Sequence, residues 1–179
     1  MDLKRVCTTV AIVFCSFQLA SSDPDCKNLR DRGDEIEACC QLEPIIPQSE
    51  ADDCSSAAAD ASHPHEAMMC VLQCKLESLG VMNGKQLVPE KVLEYANRFE
   101  GDWKEKAVEI ATMCNERLSQ NKVQIDEKAE QQNCSPAGGI LMMCLMKQTF
   151  ETCPADKWQN TDFCNKLKSG ECMKRRSHH

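Results

Sequence analysis

The sequence predicts an all-α fold, a compact disulfide-stapled helical domain of about six to eight helices, and three observations predict it. Apolar residues recur at helical spacing in several separate segments. No stretch alternates Val, Ile and Thr as a half-buried strand would. Cysteine is abundant, with 14 residues in 179.

The first residues set the compartment. Lys4 and Arg5 precede an apolar run from Val6 to Ala20, then small residues Ala20, Ser21 and Ser22, the order of an export signal. Residues 1–22 are read as that signal, residues 23–172 as a single domain, and residues 173–179 as a basic flexible tail. The apolar run is shorter than the roughly 20 residues a membrane span needs, so the mature chain is expected to be secreted and extracellular, without stable membrane insertion.

Cys7 and Cys15 leave with the signal. Twelve cysteines remain: Cys26, Cys39, Cys40, Cys54, Cys70, Cys74, Cys114, Cys134, Cys144, Cys153, Cys164 and Cys172. An even number in an oxidising compartment points to six disulfides. Structural zinc sites show recurring close pairs, and here only Cys70 and Cys74 are so spaced, so no metal is expected.

Asp34 to Leu42 reads as a first helix, ended by the Pro44 to Pro47 segment. Ser49 to Ala61 reads as a weak helix or an ordered loop held by Cys54. The next helix has a cap at Ser62, Pro64 in its first turn, Glu66 near its positive end and a stop at Gly80. Cys70 and Cys74 share one of its faces a turn apart, so each can staple the helix to a different neighbour. The adjacent Cys39 and Cys40 are expected to reach different partners, since neighbours rarely bond each other without strain.

Asn83-Gly84 makes a turn, and Pro89 opens a helix to about Phe99. After Gly101, Asp102 and Glu105 form a capping-box-like start for a long helix to about Ser119. Asn121 to Asn133 is polar and reads as a loop with a short helical turn. Ser135-Pro136 opens the most apolar helix, with Ile140, Leu141, Met142, Met143, Leu145, Met146 and Phe150, and a helix apolar nearly all round is expected to be buried. Cys153-Pro154 ends it, and Thr161 caps a last helix to about Lys168.

Signatures of catalysis are absent. There is no nucleophile elbow, zinc-protease helix, phosphate loop or dinucleotide fingerprint, so the chain is read as not an enzyme and in need of no cofactor. His63 and His65, either side of Pro64, point apart and read as first-turn surface residues. Asn133-Cys134-Ser135 fits the glycosylation pattern, but its central cysteine must pair. Without Asp2, Lys4 and Arg5, the 28 acidic and 21 basic residues become 27 and 19, a formal charge of −8 against −7 for the whole chain. That balance excludes a nucleic-acid partner, and Lys174, Arg175 and Arg176 read as a solvated tail.

Methionine lines sites that adapt to several ligands, and small-molecule pockets are apolar and lie between helices. Apolar residues at helical spacing equally form ordinary core; those that would line a cavity are Leu72, Leu76, Leu79, Met82, Leu93, Phe99, Ile110, Met113, Leu141, Met142, Leu145, Met146 and Phe150. The expected partner is a small hydrophobic ligand.

From Cys70 the cysteines are separated by three residues to Cys74, 39 to Cys114, 19 to Cys134, nine to Cys144, eight to Cys153 and nine, after Pro154, to Cys164. This spacing resembles that of the insect odorant-binding proteins. The three- and eight-residue gaps resemble the marks of the whole family, whereas Cys134, Cys153-Pro154 and Cys164 resemble those of its Plus-C class, as found in mosquitoes. The resemblance implies a helical fold around an apolar cavity that carries semiochemicals in sensory fluid, as monomer or homodimer, with a chemosensory receptor as a further partner. It also implies bonds joining Cys70 to Cys144, Cys114 to Cys153, and Cys74 to Cys39 or Cys40, with the remaining six cysteines making three further bonds. Two other readings stand beside this one: a non-olfactory carrier of lipids or other hydrophobic ligands, and a disulfide-rich interaction or defence protein that acts through its surface.

Overall fold

A computed structural model describes residues 26, 27, 29–47 and 52–173. The segment 1–22, read as an export signal, and the basic residues 174–176 lie outside the described residues. Among the described residues there are seven α-helices: α1 (Gly33–Ala38), α2 (Pro64–Ser78), α3 (Pro89–Asn97), α4 (Gly101–Gln120), α5 (Lys122–Glu130), α6 (Ala137–Thr152) and α7 (Asp162–Lys168). Short 3-10 turns cover Leu29–Arg32, Asp52–Ala58 and Glu171–Met173. The one sheet there is a two-residue hairpin, β1 (Met82–Asn83) against β2 (Gln86–Leu87), formed at the expected Asn83-Gly84 turn, where Gly84 adopts φ +57°. No described helix is long and apolar enough to cross a membrane.

The chain divides into two compact units. One comprises the residues up to Cys39 and from Asn160 on, the other Cys40–Gln159. In the larger unit α4 packs against α3 and α6, and α6 also against α2. Their contact faces form one apolar cluster that includes Leu76, Val81, Val92, Phe99, Ile110, Cys114, Leu141 and Leu145. Ile45 and Ile46 join it, and Arg98 holds that segment through the Glu43 carboxylate at 2.7 Å and the Pro44 carbonyl at 3.1 Å. Tyr95 ties α3 to the end of α2 by donating to the Leu79 carbonyl at 3.1 Å.

Several helix boundaries follow from local chemistry that the sequence reading assigned differently. The cap of α2 is His63, not Ser62: Pro64 occupies the first helical position and forces the residue before it into an extended conformation. The His63 Nδ1 accepts from the Glu66 amide at 3.1 Å, while the Ser62 amide donates to the Glu66 carboxylate at 2.8 Å. The expected capping box at Asp102 does not form, because α4 begins one residue earlier, at Gly101, with no side-chain cap. The first helix ends at Ala38 rather than Leu42, since Cys40 instead pairs in a β-bridge with Trp158 and Gln41 donates to the Lys157 carbonyl. Residues 122–130, read as mostly loop, form a nine-residue helix that buries only Ile125 and Ala129, one turn apart. Thr161 caps α7 as expected, accepting from the Cys164 amide at 3.2 Å.

All twelve cysteines among the described residues are paired. The bonds are Cys26–Cys172, Cys39–Cys164, Cys40–Cys153, Cys54–Cys74, Cys70–Cys134 and Cys114–Cys144. Cys39 and Cys40 diverge as expected, and so do Cys70 and Cys74. The three pairings implied by the resemblance are corrected. Cys70 meets Cys134, not Cys144, because two α2 side chains grip the backbone either side of Cys134: Glu66 accepts from the Asn133 amide at 2.9 Å and Gln73 from the Ser135 amide at 2.7 Å. Cys114 meets Cys144, not Cys153, because α4 packs along the middle of α6. Cys74 meets Cys54, not Cys39 or Cys40, because the Asp52–Ala58 turn lies along α2.

The most apolar helix is buried on one side only. Ile140 and Met143 on α6 are 37% and 59% exposed, because its partner helices cover the opposite side. There Gly138 and Gly139 let α2 approach closely: a methyl group at Gly138 would sit 2.7 Å from Leu76 Cδ1, and one at Gly139 would sit 2.6 Å from the Met69 sulfur.

Candidate functional site

The residues expected to line a ligand site are largely brought together. Leu76, Met82, Phe99, Ile110, Leu141 and Leu145 are buried in the one apolar cluster, and Leu72, Leu79, Leu93 and Met142 are half-buried against it. Phe150 is buried elsewhere, with its ring 5.6 Å from that of Trp158 in an edge-on contact. Met146 is half-buried outside the cluster. Met113 turns to solvent, 40% exposed, because Ile110 and Cys114 take the face of α4 that meets its neighbours.

A half-open cleft of about 160 Å³ lies beside the β1–β2 hairpin. Its walls come from the hairpin, the start of α3, the last turn of α4, α5 and the start of α6, and none of the expected lining residues takes part. Leu118, Ile125 and Ala137, all buried, give it an apolar floor, with Leu87 and Pro89 beside them. The rim is polar. Lys122 Nζ donates to Gln86 Oε1 and to Asp126 Oδ2, both at 2.7 Å, and the Gln86 amide reaches Asp126 Oδ1 at 3.5 Å. The Lys122 hydrogen bond and charge, with the Gln86 amide, hold the Asp126 carboxyl below the usual carboxylate range against the opposing effect of desolvation. Lys85 Nζ donates to the carbonyls of Ala129 and Gln132, both at 2.7 Å, and so closes the C-terminal end of α5. Asn115 donates to the Pro89 carbonyl at 3.0 Å, and its Oδ1 is buried with no hydrogen-bond partner among the described residues.

The sequence carried one sign of this cleft. Lys122 and Asp126, and likewise Ile125 and Ala129, are spaced four apart, which suits a two-faced helix. The polar composition of the segment masked it.

The ring centres of His63 and His65 lie 6.2 Å apart, and the rings are tilted by 48° to each other. Among the described residues no three His, Cys, Asp or Glu side chains are grouped so as to hold a metal ion. The twelve disulfide sulfurs hold no thiolate for metal or for nucleophilic chemistry.

Comparison with known proteins places the chain. Residues 26–148 match the model of the PBP/GOBP family, and no curated protein matches it. That span runs from Cys26 through Cys144 and contains the whole apolar cluster and the cleft. The chain belongs to the PBP/GOBP family, the insect odorant- and pheromone-binding proteins.

Proposed function

We propose that this chain is a secreted carrier, of the Plus-C class, that reversibly binds small hydrophobic semiochemicals in an extracellular sensory fluid. The family match over residues 26–148 carries the reading, since members of that family are small carriers of hydrophobic ligands and are not enzymes. Six disulfides favour an oxidising, extracellular setting, and residues 23–172 are taken as the functional domain.

On this reading a guest is held against the apolar cluster by the expected lining residues, among them the half-buried Leu72, Leu79, Leu93 and Met142. Binding is driven by burial of apolar area at ~25 cal/mol per Å². Methionine among them suits ligands of varied shape. Displacement of an uncharged naphthalene dye from the oxidised protein by a panel of volatile and non-volatile lipophiles tests the proposal. Saturable one-site displacement is expected. No dye uptake by folded protein would overturn it and favour a protein acting through its surface, where Val123 and Met143 stand exposed.

A further inference from the structure

The cleft beside the hairpin has a charge balance opposite to that of the chain. Lys85, Lys122 and Asp126 give its lining a net positive charge, although the whole chain carries −7. Lys122 and Asp126 neutralise each other at 2.7 Å. Lys85 is different. It is half-buried, its two contacts are neutral carbonyls, and no carboxylate of the described residues pairs with it. An ammonium has three N–H donors, so one remains after Ala129 and Gln132 are served. The carbonyls at the C-terminal end of α5 offset the charge only in part, and a carboxylate forms a stronger, charge-assisted hydrogen bond with an ammonium than a neutral carbonyl does.

We propose that this cleft binds a short-chain aliphatic carboxylate. Its head group accepts from Lys85 Nζ, and its chain lies on Leu87, Leu118 and Ile125. The apolar floor selects a hydrocarbon tail over a bare inorganic anion, which would leave that surface uncovered. A volume of about 160 Å³ is below the roughly 300 Å³ at which drug-sized sites begin, so the tail is short. The cleft's floor residues Leu118, Ile125 and Ala137 belong to the same apolar cluster, but none of the residues expected to line the hydrophobic carrier's site lines this cleft, so the two proposals fail separately.

Titration of the oxidised protein with hexanoate, followed by calorimetry and by backbone amide shifts, tests the site. Saturable binding is expected, with shifts concentrated at Lys85, Gln86, Ser119 and Lys122. Lys85→Met should weaken it by about tenfold or more, and Lys85→Arg should retain most of it. Because Lys85 also secures α5, a second variant leaves that tether intact: Ser119→Glu places a like charge in the cleft wall and should weaken hexanoate to a similar degree. Uptake of the naphthalene dye should be the same in all three variants as in the parent, which separates failure here from failure of the carrier reading. Absence of hexanoate binding, shifts elsewhere, or parent-like affinity in both Lys85→Met and Ser119→Glu would overturn the proposal. Hexanol binding as tightly as hexanoate would also overturn it, and would move the polar contact to the unpartnered Asn115 oxygen.

Discussion

The two units of this chain are held together by different means. The body, Cys40–Gln159, contains a continuous cluster of 18 buried apolar residues and four disulfides. The smaller unit buries only Cys39, Phe163, Cys164 and Leu167 among its described residues, with the Arg32 guanidinium stacked 3.6 Å over the Phe163 ring. Its two disulfides join residues 125 and 146 positions apart. Covalent closure of long loops therefore does in the small unit what hydrophobic burial does in the body. In the body the disulfides instead lock in which helix neighbours which.

The contrast is sharpened first where burial is deepest. Leu141→Ala should cost about 3–5 kcal/mol, read as a drop in the urea midpoint. A loss under about 1 kcal/mol would mean that the centre of the body is not tightly packed. Next, removing the Cys39–Cys164 bond by Ser substitution at both positions should cost about 2–4 kcal/mol, with the effect confined to the small unit. Hydrogen exchange would then quicken at Phe163 and Leu167 and stay slow at Ile110 and Leu141; uniform quickening would show that the two units unfold as one.

Gly138→Ala opposes two effects. Helix propensity favours alanine by about 1 kcal/mol, whereas overpacking against Leu76 costs about 1–3 kcal/mol. A net destabilisation of about 1 kcal/mol is expected in thermal melts, and less for Gly139→Ala, whose methyl meets the flexible Met69 thioether. An increase in melting temperature at Gly138 would show that α2 and α6 can separate freely.

The smallest expected effect concerns Glu66, whose carboxyl is held below the usual carboxylate range by the amide of Asn133 first and that of Ser62 second. A carboxyl with a lowered folded-state pKa stabilises the protein above its unfolded value, and that contribution is lost as the pH falls through the folded one. Glu66→Gln should therefore lower the melting temperature at neutral pH, with the difference from the parent shrinking in acid. A difference independent of pH would show that Glu66 acts by packing alone.

Much of the helical order was legible because it is written in local chemistry. Pro64 and Pro89 mark helix starts, Gly80 and Cys153-Pro154 mark ends, and Thr161 is a cap with its acceptor in place. Of the residues expected to line a site, all but Met113 are buried or half-buried. The cleft was not legible, since its five walls come from segments that are distant in sequence, and Lys85 gains its role only through carbonyls 44 and 47 residues away.

By itself the sequence determined that this protein is helical and rich in cysteines that pair, because propensity, capping and composition act within a few residues of one another. The tertiary structure alone decided which cysteines bond, that Met113 and Met143 face out, and that Lys85, tied to the Ala129 and Gln132 carbonyls, lines a cleft with an apolar floor. An apolar stripe states that a face will be buried but not against what, and only the packing of α2, α4 and α6 supplies the partner.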